Sequence, residues 1–260
     1  MTDPNDPSPA ARSPFEEAEI YDQIFDGYTE DLRFWLGFAS EGPVLDLGCG
    51  TGRVTIPLLR RGLDVDGLDL WGPMLEQLRA KAAKLGFSPG LHRAPMQGFR
   101  LPRRYRRIVC AFNAFAHNLT REDQLSCLRS CREHLEPGGA LAIHMSLPPP
   151  EVWLGEDGVP VLEIEVPHPS RATKIQMFDT RTKNRVEQTQ FSEIEYREVA
   201  ADGSLVSSSR SSTAVRWIGK PEMELLLLAA GFERFEIVGN YDGGALTPTS
   251  DTMIAIARHG

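Results

Sequence analysis

Three glycines stand within five positions in the stretch VLDLGCGTG, which occupies residues 44–52 of the 260-residue chain. They follow a short apolar run that predicts a β-strand, and a helical pattern begins directly after them. In an open α/β sheet, such a loop lies at the carboxyl edge of the strands, where ligands bind. Glycines let the backbone turn tightly there and approach a ligand closely. We therefore interpret Gly48, Gly50 and Gly52, with Cys49 between them, as a ligand-binding loop.

A carboxylate, Asp69, ends the second predicted strand, seventeen residues past Gly52. At that position a carboxylate can accept hydrogen bonds from the two hydroxyl groups of a ribose. A dinucleotide-binding fingerprint would need its third glycine at position 53, where the chain has Arg53. The spacing therefore predicts a nucleoside-like ligand and weakens the interpretation as a nicotinamide or flavin site.

These residues need a parallel sheet to position them, and strand and helix patterns do alternate between residues 44 and 145. The pattern predicts an α/β fold with a doubly wound, mostly parallel, Rossmann-like sheet of seven strands. Ser13, Pro14 and Glu16 form a capping-box pattern that predicts a helix through about Phe25. The other predicted elements are helices at about 29–39, 53–61, 73–84 and 121–135 and strands at 44–47, 64–69, 91–94, 107–112 and 140–145.

The rhythm changes after residue 146, where extended segments separated by turns predict an antiparallel β meander inserted into the α/β fold. A helix at 221–230 and strands at about 232–238 and 252–258 then complete the sheet. We expect four parts: a disordered amino terminus at 1–14, a cofactor-binding α/β domain with a helical lid at 15–146, a β insertion over the acceptor site at 147–218, and a closing segment at 219–260.

Composition limits the classes of partner. The net charge of −8 gives no general attraction to phosphate backbones, so we expect no nucleic acid partner. The first fourteen residues lack the features of a signal peptide, and the apolar run at 225–230 is too short to span a membrane. We expect a cytoplasmic protein. The spacing of the four cysteines predicts reduced thiols and no metal site.

Four segments together carry a resemblance: VLDLGCGTG, DVDGLDLWGPMLEQLR, RRIVCAFNAF and HLEPGGALAI. In order and spacing they resemble the motifs of class I S-adenosylmethionine-dependent methyltransferases, in particular small-molecule enzymes such as sugar-amine N-methyltransferases. The resemblance covers residues 15–146 well and residues 232–258 loosely. It implies S-adenosylmethionine as the cofactor and methyl transfer to a nitrogen or oxygen of a small-molecule acceptor by in-line displacement.

The resemblance also implies which residues contact the cofactor. Its methionine part would lie along the glycine loop, its ribose hydroxyls at Asp69, and its adenine between the residues after the second and third strands. The implied set is Tyr21, Asp46, Gly48, Cys49, Gly50, Gly52, Asp69, Leu70, Met74, Met96, Gln97, Phe112 and Asn113. Pro95 departs from the family pattern, because many relatives have Asp there. Gln97 or a main-chain group must then meet the adenine amine, or cofactor binding is weaker.

Three side chains are candidates for catalysis. His117 lies just past the fourth strand, where some sugar-amine methyltransferases also have a histidine, and it could orient or deprotonate an acceptor. Tyr21, in a segment similar to the family's lid, could place its ring beside the sulfonium. His144, at the end of the fifth strand, ranks after them. For each of them, a purely structural packing role is the alternative.

The insertion would form the roof of the acceptor pocket or pair two subunits in a homodimer. Its possible pocket aromatics are Trp153, Phe178, Tyr196 and Trp217. Two other functions remain open from the residues alone. One is a non-catalytic S-adenosylmethionine-binding protein, which Pro95 in place of the family's Asp leaves open. The other is a nicotinamide-dependent oxidoreductase, which would share the fold.

Overall fold

The computed structural model describes residues 13–168 and 170–260, so most of the segment predicted to be a disordered amino terminus lies outside the described residues. The described helices are α1 (Ala18–Phe25), α2 (Leu32–Phe38), α3 (Thr55–Arg60), α4 (Gly72–Lys84), α5 (Arg121–His134), α6 (Pro150–Leu154) and α7 (Lys220–Ala229). The strands of the first sheet are β1 (Val44–Leu47), β2 (Val65–Asp69), β3 (Gly90–Arg93), β4 (Tyr105–Cys110), β5 (Leu135–Ser146), β10 (Arg234–Val238) and β11 (Thr252–Arg258). Those of the second sheet are β6 (Pro160–Pro167), β7 (Thr173–Asn184), β8 (Thr189–Ala200) and β9 (Leu205–Arg216).

The first sheet has seven strands in the order β10-β11-β5-β4-β1-β2-β3. Its strands run parallel except for β11, which is antiparallel to both of its neighbours. Every residue of β1 and β2 is buried, as expected for central strands with helices on both faces. The predicted α/β fold with a mostly parallel seven-stranded sheet is therefore confirmed.

The second sheet confirms the predicted antiparallel insertion, with its strands in the order β6-β7-β8-β9. One apolar cluster joins this sheet to the amino-terminal helix α1, because Ile24 packs with Ile175, Met177 and Tyr196. On the edge strand β9 of this sheet, the Ser209 hydroxyl donates a 2.9 Å hydrogen bond to the Glu17 carboxylate. The insertion and the lid helix therefore form one covering over the carboxyl edge of the first sheet.

The start of the lid differs from the prediction. Ser13 does cap a turn, since its Oγ accepts a hydrogen bond from the Phe15 amide, but that turn is a short 3₁₀ helix over Pro14–Glu16. Glu17 has non-helical dihedrals (φ −103°, ψ 60°), and α1 begins only at Ala18. The predicted single helix through Phe25 is therefore wrong in its first turn, and the 3₁₀ turn instead points residues toward the site described below.

The fourth strand also ends earlier than predicted. Phe112 and Asn113 have φ values of 50° and 62°, in the left-handed region that is uncommon for residues other than glycine. The chain leaves the sheet there and forms a 3₁₀ turn over Ala114–His117. The next helix, α5, begins as predicted after Thr120, whose hydroxyl accepts a hydrogen bond from the Asp123 amide.

A buried ion pair joins the amino-terminal segment before α2 to the residue that follows the glycine loop. The Arg53 guanidinium donates to both carboxylate oxygens of Asp31, at 2.5 and 2.7 Å, and to the Tyr28 carbonyl. Asp31 is fully buried and also accepts from the Trp35 indole N–H. A paired, hydrogen-bonded charge of this kind tolerates burial, whereas removal of one partner would leave an uncompensated buried charge.

Within residues 13–168 and 170–260, no helix has the length and apolar composition needed to cross a membrane. All four cysteines are buried free thiols. Among these described residues, no group of His, Cys, Asp and Glu has the arrangement of a metal site.

Candidate active site

A cavity of about 460 Å³ lies at the carboxyl edge of the first sheet. Its wall comes from five parts of the chain: the lid, the glycine loop, the ends of β2 and β4, the loop after β3, and strands β8 and β9 of the insertion. The cavity therefore lies where an open α/β sheet binds its ligand, and it is closed by elements that such a sheet alone would lack.

Most of the sequence-predicted site residues line this cavity. They are Tyr21, Gly48, Gly50, Asp69, Leu70, Met74, Met96, Gln97, Phe112 and His117. Pro95, the residue that departs from the family pattern, lines it as well. The structure thus brings the predicted ribose, adenine and acceptor residues to one place, although their individual roles stay predictions.

Three residues of the glycine-loop region lie behind the cavity wall. Asp46 accepts a 2.6 Å hydrogen bond from the Thr55 hydroxyl, and burial raises the pKa of its carboxyl group to about 6. Cys49 packs in a small apolar cluster, where burial raises the pKa of its thiol. A Cβ atom at Gly52 would overlap the Leu78 side chain. These residues shape the loop, and their contact with the cofactor stays a prediction.

Asn113 and His144 also stay outside the cavity wall, because they bond to each other and to the sheet. The Asn113 amide donates to His144 Nδ1 at 3.0 Å, and the Asn113 side-chain oxygen accepts from the Ser146 amide. The His144 ring stacks against Tyr241, with centroids 5.5 Å apart. This arrangement gives His144 a structural task, namely to hold the left-handed turn that leads to His117.

His144 makes stability depend on pH. Its burial lowers the imidazole pKa from 6.5 to about 4, so the unfolded chain binds this proton at a higher pH than the folded protein does. We expect this group to reduce the free energy of unfolding as pH falls from about 6.5 to about 4, by up to about 3 kcal/mol. Asp46, with its raised pKa, acts in the opposite sense.

The variant His144→Asn isolates the contribution of the imidazole, because an amide oxygen can still accept from the Asn113 amide and does not titrate. Urea unfolding of both proteins at pH 7 and pH 4.5 measures the difference. We expect the wild type to lose more stability than the variant between these pH values. An equal loss in both proteins would contradict the assignment.

The glycine loop leaves open space where a ligand would lie. Gly50 has a φ of 52°, and a Cβ atom placed on it would meet no protein atom within 4 Å. Gly48 has a φ of 72°, but a Cβ atom there would come within 2.8 Å of the Ala114 Cβ. Gly48 therefore permits close packing of two loops, whereas Gly50 exposes its backbone to the cavity.

Asp69 holds the loop and faces the cavity at the same time. One carboxylate oxygen accepts from the Gly50 amide at 2.8 Å and the other from the Trp71 amide at 2.9 Å. Burial raises the pKa of this carboxyl group, and the backbone N–H groups oppose that shift. Each oxygen keeps a second lone pair, so the group can still accept hydroxyl protons from a ligand.

Tyr21 lines the cavity from α1 as a neutral phenol. Burial and the nearby Asp69 and Asp22 carboxylates raise the pKa of its hydroxyl, while the Arg53 guanidinium opposes that shift. A phenol of this kind stays protonated at neutral pH, so it does not supply a base. What it can offer is an electron-rich ring and an oxygen lone pair to a cation.

His117 has a defined tautomer. Its Nδ1 lies 3.0 Å from the Ala214 carbonyl oxygen of β9, and because a carbonyl only accepts, Nδ1 carries the proton. Burial lowers the pKa of the imidazole below its usual value, so the ring is neutral at pH 7. Its Nε2 atom is then an unprotonated acceptor. The insertion therefore orients this candidate catalytic group.

Aromatic residues that sequence reasoning missed complete the cavity. Phe15 lines the cavity, and its ring centroid lies 5.2 Å from that of His117, 6.0 Å from that of Tyr21 and 6.3 Å from that of Trp71. Trp71 and Phe191 also line the cavity. Of these, Trp71 could have been found from its place directly after the second strand.

The aromatics predicted from the insertion lie elsewhere. Trp153 and Trp217 pack on each other, Phe178 lies under the Arg197 guanidinium, and Tyr196 is buried against α1. None of these four lines the cavity in the described structure.

Known proteins that are similar to this chain are methyltransferases, the class of protein that the sequence motifs resemble. Residues 44–139 match the family described as Methyltransferase domain. The dTDP-3-amino-3,4,6-trideoxy-alpha-D-glucopyranose N,N-dimethyltransferase of Streptomyces venezuelae is 32% identical over 137 residues, which are 49% of this chain and 56% of that protein. The aligned part of the chain thus spans about half the length of this curated relative.

Solved structures share the fold over nearly the whole chain. The CcbJ methyltransferase from Streptomyces caelestis has a TM-score of 0.77 at 23% identity, with 95% of this chain and 98% of that chain covered. S-adenosylmethionine-bound CalS10, an amino pentose methyltransferase from Micromonospora echinaspora, has a TM-score of 0.66 at 19% identity. The match covers 95% of this chain and 92% of that chain. The similarity to these two structures shows that the chain has their fold. The predicted resemblance to the class I small-molecule methyltransferases is confirmed by these matches.

Proposed function

We propose that this chain, which resembles the class I S-adenosylmethionine-dependent methyltransferases, transfers a methyl group to a nitrogen atom of a small-molecule acceptor. The observation that carries this proposal is one cavity that contains both the glycine-loop and Asp69 positions and a neutral His117 with an unprotonated Nε2. The similarity to a sugar N,N-dimethyltransferase favours nitrogen over oxygen.

The residues present fit the cofactor. Gly50 supplies a backbone that approaches open space, and Asp69 keeps lone pairs for two ribose hydroxyls. Met74 and Met96 give apolar walls, and Gln97 gives an amide beside them for the adenine end. When bound, S-adenosylmethionine supplies an activated methyl group on a sulfonium. Pro95 lacks a carboxylate, so the adenine amine would depend on Gln97 or on main-chain groups.

The chain's own contribution to the reaction is position and proton acceptance. The cavity walls would hold the acceptor nitrogen, with its lone pair free, beside the methyl group that the bound cofactor would supply; the electron pair of the broken C–S bond would stay on sulfur. The Nε2 atom of His117 can accept a hydrogen bond from the acceptor amine and take its proton. Tyr21 can stabilise positive charge by facing it with a neutral ring.

Replacing Asp69 is expected to weaken the cofactor complex. Asp69→Ala removes charge-assisted hydrogen bonds to the ribose, which together contribute about 1.5–3 kcal/mol, or about 10- to 150-fold in Kd. Isothermal titration calorimetry with S-adenosylmethionine measures the change. Asp64→Ala is a matched control, because Asp64 is exposed, bonds to Arg103 and lies outside the cavity. Equal affinity of the Asp69 variant and the wild type would remove Asp69 from the site.

Release of S-adenosylhomocysteine tests the proposed reaction. We expect release with amino sugars, for example glucosamine, or with peptides that have a free amino terminus, and none with the matched hydroxyl compound glucose. If S-adenosylmethionine binds but no amine and no hydroxyl compound causes release, the alternative of a non-catalytic binding protein is favoured. If a nicotinamide dinucleotide binds and S-adenosylmethionine does not, the proposal is wrong.

A further inference from the structure

Part of the cavity wall comes from residues outside the predicted cofactor-binding set, and we call this part the acceptor half. This half lies between the 3₁₀ turn of the lid, which contributes Phe15 and Glu16, and the edge strand β9, which contributes Ser212 and Thr213. His117 lies beside it, bonded to the carbonyl of the next residue of β9. Because the cofactor would use the glycine loop and Asp69, this half is the space for the acceptor.

The acceptor half contains one carboxylate residue, Glu16, which is exposed to solvent. The cavity wall in the described residues contains two carboxylates, Asp69 and Glu16, and no lysine or arginine side chain. Asp69 already accepts two backbone hydrogen bonds, whereas Glu16 makes no ion pair among the described residues. His117 is neutral because burial lowers its pKa. A phosphate in this half would therefore face a carboxylate and find no cationic side chain in the described wall.

A cationic acceptor finds complementary groups there. The Glu16 carboxylate attracts a positive charge, and the rings of Phe15, Trp71 and Phe191 offer aromatic faces to a cation or to the apolar face of a sugar ring. The hydroxyls of Ser212 and Thr213 can hydrogen-bond in either direction. Electrostatic complementarity of this kind determines which partner binds, even where each exposed pair contributes little to affinity.

From this wall we propose that the acceptor is an amine that enters as an ammonium cation and bears no phosphate in the cavity, and that Glu16 is a specificity-determining residue for it. The ammonium group would give one proton to Nε2 of His117 before methyl transfer, which frees the nitrogen lone pair. The inference rests on the proposed function and narrows its substrate class. It separates this chain from its relative that acts on a dTDP-linked sugar. That acceptor carries a diphosphate, which this wall disfavours.

The test measures binding to the protein saturated with S-adenosylhomocysteine, so that no reaction occurs. The probes are glucosamine and glucosamine 6-phosphate, which share one ammonium group and differ by one phosphate, and the fluorescence of Trp71 and the other tryptophans reports binding. We expect glucosamine to bind at least about 5-fold more tightly, the scale of an exposed charge interaction. We expect Glu16→Gln to weaken glucosamine binding by a similar factor and to reduce the difference between the probes.

Glu19→Gln is the matched control, because Glu19 is an exposed carboxylate on the same lid and lies outside the cavity wall. It should bind both probes as the wild type does. Equal or tighter binding of glucosamine 6-phosphate, binding of neither probe, or an unchanged Glu16→Gln variant would overturn the inference. Failure of the proposed function is a separate result, because it would appear as loss of S-adenosylhomocysteine binding before any probe is added.

Discussion

The variant Gly50→Val is expected to lose S-adenosylmethionine binding while the chain stays folded. A side chain at Gly50 would extend into the cavity, since a Cβ atom there meets no protein atom within 4 Å. The protein could accommodate the added atoms, but the ligand could not. We expect the Kd to increase by about 100-fold or more, which corresponds to about 3 kcal/mol or more of binding free energy.

Gly62→Val is the matched control for this experiment. Gly62 also has a positive φ, of 78°, and open space around its Cβ position, but it lies in an exposed turn outside the cavity. Both variants carry the same kind of backbone strain, so thermal unfolding should shift by a similar amount in both. Calorimetry should then show normal cofactor affinity for Gly62→Val alone. Normal affinity for Gly50→Val would contradict the assigned position of the cofactor.

His117→Ala is expected to lower kcat by about 10²- to 10⁴-fold if the imidazole takes the acceptor proton, as is typical of general acid–base groups. The cofactor Kd should hardly change, because His117 lies past the positions assigned to the cofactor. His117→Gln retains a hydrogen-bonding group and does not titrate. If His117 only orients the acceptor, the glutamine variant should recover much of the activity, and the loss in the alanine variant should fall mainly on KM.

The pH dependence of kcat/KM gives a second, independent test of the role of His117. The reactive form of His117 is the neutral one, and burial lowers its pKa below 6.5. Activity of the free enzyme, measured as kcat/KM, should therefore persist as pH falls to 6.5 and decline only below it. This acid limb should disappear in both His117 variants. If the limb persists, another group is responsible, and His117 is a structural residue.

The cofactor half of the site could be predicted from sequence because its residues follow local motifs. The glycine loop follows β1, Asp69 ends β2, and the Met96–Gln97 pair comes shortly after β3. The parallel order of these strands brings their ends together. Local patterns of this kind specify both the element and the side of the sheet on which its loop lies.

The acceptor half could not be predicted, because its residues are distant in sequence. Phe15 meets His117 across about a hundred residues, and the hydrogen bond from His117 reaches Ala214 in an inserted strand. No local sequence pattern indicates that His117 contacts the edge strand β9. The capping-box pattern predicted a helix that the structure shortens. Ser13 caps a turn, but Glu17 has non-helical dihedrals, so the helix does not continue through it. Phe15, in the short turn before Glu17, lines the cavity.

Transfer of an isotope-labelled methyl group tests the central claim most directly. The protein is incubated with S-adenosylmethionine labelled in its methyl group and with a panel of amino sugars and of peptides with a free amino terminus, and the products are analysed by nuclear magnetic resonance. We expect the label to appear on a nitrogen atom of an acceptor, in the same amount as S-adenosylhomocysteine, and we expect His117→Ala to slow its appearance. Tight binding of the labelled cofactor with no label on any nitrogen, or label only on oxygen or carbon, would contradict it.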